Sequence, residues 1–130
     1  MKRTFFTSES VMEGHPDKLC DQIADGILDA ILKEDPFARV ACDVSASTGL
    51  ITVFGQITTV STVDIPAIVR SIIQAVGYTD SDFGIDGKAC SVLIGLDRQS
   101  PDIAAGVGSS LEKRLGSDDE ADQLGAGDQG

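Results

Sequence analysis

The stretch that decides the fold is DIPAIVRSIIQAVG, residues 64–77. Its large aliphatic side chains recur at spacings of three and four residues, the period of a helix with one apolar face. Asp64 stands where an N-terminal cap is needed, Pro66 suits the first turn, and Gly77 suits the C-terminal cap. The stretch therefore predicts a helix that must bury one face against a second layer.

The segments on either side supply that layer. Residues 39–47 alternate apolar and polar side chains, and after a short turn a β-branched run extends over residues 50–59, which predicts a hairpin. On the C-terminal side, a turn-rich stretch at residues 80–87 precedes residues 89–96, which predict a buried strand.

A second helix is predicted nearer the N-terminus. Pro16 is favoured at a first helical position, and Asp35-Pro36 marks the end. Its predicted core stripe consists of Leu19, Ile23, Ile27 and Ile31, together with Cys20, Ala24 and Leu28. Residues 3–7 favour a short strand before it. The order β-α-β-β-α-β predicts an α+β fold, with two helices on one face of a small sheet in the split βαβ arrangement.

Composition limits the classes of function. The 130 residues carry 10 basic and 21 acidic side chains, a net charge of −11. The basic residues are scattered, which argues against binding to nucleic acid or to an anionic membrane, and no apolar run approaches a membrane span. The three cysteines are far apart in the sequence and predict reduced thiols in a cytoplasmic protein.

The character of the chain changes beyond Asp97. The remaining residues are rich in glycine and poor in large apolar side chains, a composition typical of lids, binding loops or disorder. The last six residues, GAGDQG, have no means of packing against a core. We therefore expect the chain to be a fragment of a longer protein.

The densest group of chemically active side chains is EGHPDK, residues 13–18, at the start of the predicted first helix. A helix N-terminus attracts phosphate oxygens, His15 and Lys18 add donors, and Asp17 is a hard oxygen ligand suited to Mg²⁺. These features together describe a metal-polyphosphate site. The alternative is a simple helix cap, and from chemistry alone the cap is favoured.

Other polar residues leave two interpretations open. An acidic strip runs along the first helix at intervals of four residues, and a solvated face is favoured over a metal ladder. Its members are Asp17, Asp21, Asp25 and Asp29. Asp43 and Gln56 occupy non-core positions of the hairpin, either at the surface or in the wall of a site. Gln99 stands where a strand passes into a loop, a place for a ligand contact or for a turn.

Four segments, taken in order and at these separations, resemble the S-adenosylmethionine synthetase (methionine adenosyltransferase) family. They are FTSES at 6–10, EGHPDK at 13–18, QSPDI at 99–103 and GAGDQG at 125–130. The resemblance covers the whole chain. Each segment is short, but the ordered set is highly specific.

The resemblance implies a protein of three α+β domains with pseudo-threefold symmetry. Residues 1–98 resemble the N-terminal domain, residues 99–124 the flexible active-site gating loop, and residues 125–130 the start of the central domain. Members of the family join ATP and L-methionine, release the triphosphate and hydrolyse it to pyrophosphate and phosphate. The implied cofactors are Mg²⁺ and K⁺, and the implied assembly is a homodimer or a dimer of dimers.

The same resemblance assigns roles to residues. His15 is the implied catalytic residue and contacts the triphosphate, together with Glu9 and Lys18 on the ATP side. Asp17 is the implied Mg²⁺ ligand. The implied K⁺ ligand and methionine contacts are Asp43 for K⁺ and Gln56, Gln99 and Asp128 for methionine.

Two positions depart from the pattern of the family. Asp43 replaces the usual Glu and shortens the reach of the carboxylate by one methylene. Gln56 replaces a Glu that meets the methionine ammonium group, so a charge-assisted hydrogen bond becomes a neutral one, roughly half as strong. The expected function is S-adenosylmethionine synthesis, with the isolated fragment inactive. The alternative is a non-catalytic relative or truncated copy that at most binds nucleotide.

Overall fold

The computed structural model describes residues 3–102 and 115–116. The chain forms two compact units, Met1–Asp97 and Arg98–Gly130. In the second unit only residues 98–102 and 115–116 are described, and the latter two lie in a turn. The first unit contains all the predicted site residues except Gln99 and Asp128.

That unit consists of two helices, a three-stranded sheet and a small hairpin. The helices are α1 (Pro16–Glu34) and α2 (Ile65–Val76). The strands are β1 (Arg39–Ser47), β2 (Leu50–Thr58), β3 (Thr79–Asp80), β4 (Ile85–Asp86) and β5 (Ser91–Asp97), with a 3₁₀ turn at Ser81–Phe83 between β3 and β4. Neither helix in the described residues is long and apolar enough to cross a membrane.

The larger sheet has the order β1-β2-β5. The central strand β2 pairs antiparallel with β1 and parallel with β5, and α2 forms the crossover between the two parallel strands. Because β5 pairs directly with β2, the crossover is an ordinary βαβ unit. The expected split βαβ arrangement is wrong in this respect, since sequence order alone does not show which strands are neighbours.

Both helices pack on one face of this sheet, which confirms the α+β class. The core consists of Leu19, Ile23, Ile27, Ile31, Ile51, Val53, Val69, Ile73, Ile85 and Cys90. The first four residues of the predicted α1 stripe are therefore buried as expected, whereas Cys20, Ala24 and Leu28 are only half-buried. The helices approach closely at Gly26, where an added Cβ would lie 2.5 Å from the Cδ1 atom of Ile72.

Two expectations about strands are wrong. Residues 3–7 form no strand, and Phe5 and Phe6 are each 91% exposed. Strand-favouring residues need a neighbouring strand to complete their hydrogen bonds, and this segment has none within the described residues. The strand β5 is not buried on both faces, since Leu93 is 56% exposed on the face that the helices leave uncovered.

The C-terminus of α1 is tied to the end of β2 through Asp35. Its Oδ2 atom accepts hydrogen bonds from the Thr59 hydroxyl (2.7 Å) and the Val60 amide (3.0 Å), and its Oδ1 atom accepts one from the Phe37 amide (3.2 Å). The Val60 amide, followed by the Thr59 hydroxyl, holds the pKa of the Asp35 carboxyl below its usual value of 3.8. The ionised carboxylate therefore favours the folded chain.

This contact predicts a pH-dependent loss of stability. Because the folded pKa is depressed, the contribution of Asp35 is complete above the usual value of 3.8 and is lost as the pH falls through the lower folded value. We expect Asp35→Asn to lower the melting temperature at about pH 7 and to lower it much less at about pH 3. Asp29→Asn, on the exposed side of α1, controls for the loss of one negative charge. An equal deficit at both pH values would contradict the role of Asp35.

Candidate functional site

A tight turn precedes α1. The His15 amide donates to the Met12 carbonyl (3.1 Å), and Gly14 adopts a φ of +92°, a conformation that favours glycine. The side-chain amide of Gln22, one and a half turns into the helix, donates to the Glu13 carboxylate (3.3 Å). These contacts fix the backbone that leads into His15.

His15 is the N-terminal cap of α1. Its Nδ1 atom accepts the Asp17 amide (3.1 Å), and its carbonyl accepts the Leu19 amide (2.9 Å). The helix-cap interpretation of this segment is therefore confirmed. A neutral imidazole that accepts at Nδ1 carries its proton on Nε2. The side chain is exposed, and Nε2 has no partner within residues 3–102, so the cap leaves one N–H donor available.

The first turn of α1 offers few other donors. Pro16 has no N–H, and the amides of Asp17 and Leu19 are already bonded. The Lys18 amide is left without a partner among the described residues, and the Lys18 ammonium group lies on the same turn. An anion would thus meet one amide, one ammonium group and the Nε2–H of His15. The exposed carboxylate of Asp17 lies next to these donors and could ligate a cation.

Tyr78 makes a hydrogen bond near His15 that no feature of the sequence predicted. It directly follows Gly77, the left-handed C-terminal cap of α2, and its hydroxyl donates to the Gly14 carbonyl. The two residues are 64 positions apart, so no local pattern could have indicated the contact. The C-terminus of α2 is thereby joined to the turn before α1.

An open cleft of about 330 Å³ lies beside the N-terminus of α1. Its lining includes Pro16, Leu19, Ala46, Tyr78, Phe83 and Ile85, and no charged side chain takes part among the described residues. A neighbouring hollow of about 380 Å³ shares Tyr78 and Phe83. The cleft offers apolar contacts next to the polar end of the helix.

The predicted hairpin residues, Asp43 and Gln56, form a second group on the face of the sheet that the helices do not cover. Asp43 on β1 is paired with Phe54, and Gln56 on β2 is paired with Ala41, so Asp43 and Gln56 are diagonal neighbours. On the other side of β2, Gln56 is paired with Asp97 of β5. Sequence reasoning missed Asp97, because only the parallel register places it beside Gln56.

A backbone distortion precedes Gln56. Gly55 has a φ of +132°, and a Cβ atom added there would lie 2.1 Å from the Ala41 carbonyl oxygen. The two strands therefore approach each other in a way that a side chain at Gly55 would prevent. Because Gly55 directly precedes Gln56, this close approach of β1 and β2 also sets the position of the Gln56 backbone.

The structure separates the predicted residues. His15, Asp17 and Lys18 lie at the start of α1 in the helical layer, whereas Asp43 and Gln56 lie on the opposite face of the sheet. A single copy of this unit does not bring the two groups together.

The remaining predicted residues are Glu9, Gln99 and Asp128. Glu9 is exposed in the segment before the turn, Gln99 belongs to the second unit, and Asp128 lies outside the described residues, as does most of the predicted gating loop. The last three residues of the acidic strip, Asp21, Asp25 and Asp29, are exposed, in agreement with the solvated-face interpretation. Within residues 3–102 and 115–116, no group of three His, Cys, Asp or Glu side chains could hold a metal ion.

The cysteines do not form a nucleophilic centre. Burial is the main cause that raises the pKa of the Cys20 and Cys42 thiols, and Cys90 is buried. A thiol with a raised pKa stays protonated and is a poor nucleophile. All three cysteines are free, in agreement with the expectation of reduced thiols.

Comparison with known proteins decides the family. Residues 3–101 match the family model described as S-adenosylmethionine synthetase, N-terminal domain. The chain belongs to the S-adenosylmethionine synthetase family. The match confirms the resemblance that the sequence segments indicated.

The chain is similar in sequence to S-adenosylmethionine synthases from two bacteria. The chain is 58% identical over 128 residues to one from Clostridium tetani (strain Massachusetts / E88), covering 98% of this chain and 33% of the relative. It is 56% identical over 130 residues to one from Finegoldia magna (strain ATCC 29328 / DSM 20472 / WAL 2508), covering 100% of this chain and 33% of the relative. The chain thus spans about a third of the length of these curated relatives.

Proposed function

We propose that this chain is the N-terminal part of an enzyme that makes S-adenosylmethionine from ATP and L-methionine and releases pyrophosphate and phosphate. The observation that carries the proposal is the cap of α1, where His15 uses Nδ1 for the helix and keeps its Nε2–H free. In a member of the S-adenosylmethionine synthetase family, this donor is suited to the triphosphate of ATP.

The chemistry of the leaving group explains why such a donor is needed. When the methionine sulfur attacks C5′ of the ribose, the triphosphate departs with developing negative charge on its bridging oxygen. Donors held in place before the reaction stabilise that charge without reorganisation. We assign this role to His15, with Lys18 binding a more distant phosphate oxygen and Glu9 contacting the nucleotide.

Asp17 is the proposed ligand of Mg²⁺. Mg²⁺ is commonly bound by one or two carboxylates together with substrate phosphates. One exposed carboxylate beside the three phosphate donors fits that pattern, with the remaining ligands coming from the triphosphate and from elsewhere in the full protein. When bound, the ion supplies positive charge to the leaving group.

The uncovered face of the sheet is the proposed methionine side. Gln56 offers an amide oxygen to the ammonium group, and Asp97, its partner on β5, supplies a nearby negative charge. Asp43 is the proposed K⁺ ligand, while Gln99 and Asp128 are proposed as further contacts with methionine. Asp97 offsets part of the charge that is lost where Gln56 replaces Glu.

The separation of the two groups supports an assembly of subunits. In one copy, His15 and Lys18 lie in the helical layer, and Gln56 lies on the opposite face of the sheet. We therefore propose a homodimer or a dimer of dimers, in which each active site combines residues from two copies. The proposed enzyme acts in the cytoplasm, where its free thiols stay reduced.

We propose that residues 1–98 form the N-terminal domain, residues 99–124 the gating loop and residues 125–130 the start of a central domain. Below, the full-length synthase means the polypeptide read from the natural gene beyond Gly130. If the gene stops there, it means this chain joined to the rest of the Clostridium tetani synthase.

The first test compares the 130-residue chain with the full-length synthase. Each is mixed with ATP, L-methionine, Mg²⁺ and K⁺, and S-adenosylmethionine is measured by mass spectrometry. We expect product from the full-length synthase and none from the isolated chain, because Asp17 is the one Mg²⁺ ligand proposed in this chain and the remaining protein ligands lie elsewhere in the full protein. Product from the isolated chain would contradict the need for those ligands, and no product from the full-length synthase would favour the non-catalytic alternative.

A second test concerns the change at Gln56. In the full-length synthase, Gln56→Glu is expected to lower the KM for methionine about three- to tenfold, because a charge-assisted hydrogen bond is roughly twice as strong as a neutral one. Gln56→Ala, which removes the oxygen altogether, is expected to raise the KM. If both variants keep the KM of the parent enzyme, Gln56 does not contact methionine.

A further inference from the structure

We infer that Tyr78 is a positioning residue for His15, acting through the Gly14 carbonyl. This inference rests on the proposed function, because it assigns to Tyr78 the task of aiming the Nε2–H donor at the triphosphate. Tyr78 lies two residues beyond the end of α2, and its hydroxyl donates to the Gly14 carbonyl.

The peptide group between Gly14 and His15 is held at both ends. Its carbonyl accepts the Tyr78 hydroxyl, and its N–H donates to the Met12 carbonyl (3.1 Å). A peptide group is planar, so two bonds in opposite directions fix its orientation. The side chain of His15 leaves the backbone directly after this group, and its direction therefore depends on both contacts.

Tyr78 is itself firmly held. Its amide donates to the Ile73 carbonyl (3.1 Å), and its carbonyl accepts the Gly87 amide (3.0 Å). The residue is half-buried, and its ring lines the cleft beside α1 together with Phe83. A hydroxyl held in place just beyond α2 can therefore set the geometry of the turn before α1.

The helix cap alone does not provide this control. The bond between the His15 Nδ1 atom and the Asp17 amide fixes the tautomer, but it joins neighbouring residues and holds only while the turn before α1 keeps its geometry. The Tyr78 hydroxyl connects the turn to a separate element, 64 residues away in sequence. This long-range contact adds to the local bonds of the turn and the cap, and it ties His15 to an element outside α1.

Tyr78→Phe isolates the effect, because the ring is kept and only the hydroxyl is removed. A displacement of a reacting group by about 1 Å can cost about 100-fold in rate. For a partial displacement, we expect a fall in kcat of about tenfold, with the KM for methionine changed less than about twofold. The KM is spared because the proposed methionine contacts lie on the other face of the sheet.

The kinetic arm uses the full-length synthase with Thr59→Val as the matched control. Thr59 also donates its hydroxyl across the fold, to Asp35 at the far end of α1, and lies outside the proposed site. We expect Thr59→Val to keep the parental kcat, even though it lowers the melting temperature. If Tyr78→Phe keeps the parental kcat as well, the positioning role is wrong.

Combining Tyr78→Phe with His15→Asn separates positioning from general damage. If Tyr78 acts through His15, the double variant has the same kcat as His15→Asn alone. If the two losses multiply, Tyr78 acts by another route and the inference is overturned. An inactive parent enzyme would instead show the failure of the proposed function, and the following measurement tests Tyr78 without activity.

Nitrogen NMR of the 130-residue chain provides that measurement, since His15 is its only histidine. At alkaline pH the neutral imidazole of the parent chain is expected to show its proton on Nε2. In Tyr78→Phe the population with the proton on Nδ1 is expected to rise, because the released turn weakens the bond to the Asp17 amide. Thr59→Val is the control, and circular dichroism checks that each chain is folded. An unchanged tautomer population in Tyr78→Phe would overturn the inference.

Discussion

Replacing His15 with asparagine in the full-length synthase is expected to lower kcat by a factor of about 10²–10³, the usual effect of removing one donor that stabilises transition-state charge. Asparagine is a favoured N-terminal cap, so its side-chain oxygen can accept the Asp17 amide in place of Nδ1. The helix then keeps its cap, while the triphosphate loses the Nε2–H donor. Steady-state kinetics and thermal unfolding of the same variant measure the two effects separately.

His15→Ala is the companion variant. It removes both the donor and the cap, so we expect the same fall in kcat together with a loss of about 0.5–2 kcal/mol in unfolding free energy. A normal kcat in His15→Asn combined with a low kcat in His15→Ala would mean that the cap, rather than Nε2, matters for the reaction. That outcome would contradict the proposed role of His15.

The second large effect is expected at Gly55, where alanine should destabilise the 130-residue chain by roughly 3–5 kcal/mol. The added Cβ atom would lie 2.1 Å from the Ala41 carbonyl oxygen, a distance that the backbone of β1 must relieve by moving away. The positive φ of +132° adds strain, because side chains avoid that conformation. Urea unfolding followed by circular dichroism measures the loss.

Gly49→Ala is the matched control for Gly55→Ala. Gly49 lies in the turn of the same hairpin with a φ of +67°, but no atom lies within 4 Å of a Cβ added there. Only the conformational strain remains, and we expect a loss of about 1–2 kcal/mol. Equal losses at both positions would show that the close approach of β1 and β2 does not determine the need for glycine at Gly55.

Local patterns in the sequence were sufficient for the helices. The caps Asp64 and Gly77 and the apolar period between them set the bounds of α2, and Pro16 and Asp35 did the same for α1. These signals act between residues a few positions apart, within the reach of a single helical turn. The residues around His15 are also close together in the sequence, so their types alone indicated both a helix cap and a phosphate site.

Tertiary structure alone decided the contacts between distant segments. It paired β5 with β2 and thereby placed Asp97 beside Gln56, and it brought the Tyr78 hydroxyl to the Gly14 carbonyl. It also left residues 3–7 without a neighbouring strand in the part of the chain that the structure describes. Strand pairing and long-range contacts depend on which surfaces meet when the layers pack. The periodicity of the sequence does not predict which surfaces these are. The sequence by itself determined the helices, the hairpin and the residue types of the two polar groups. Only the packing of the layers decided that these groups lie on opposite faces of one sheet.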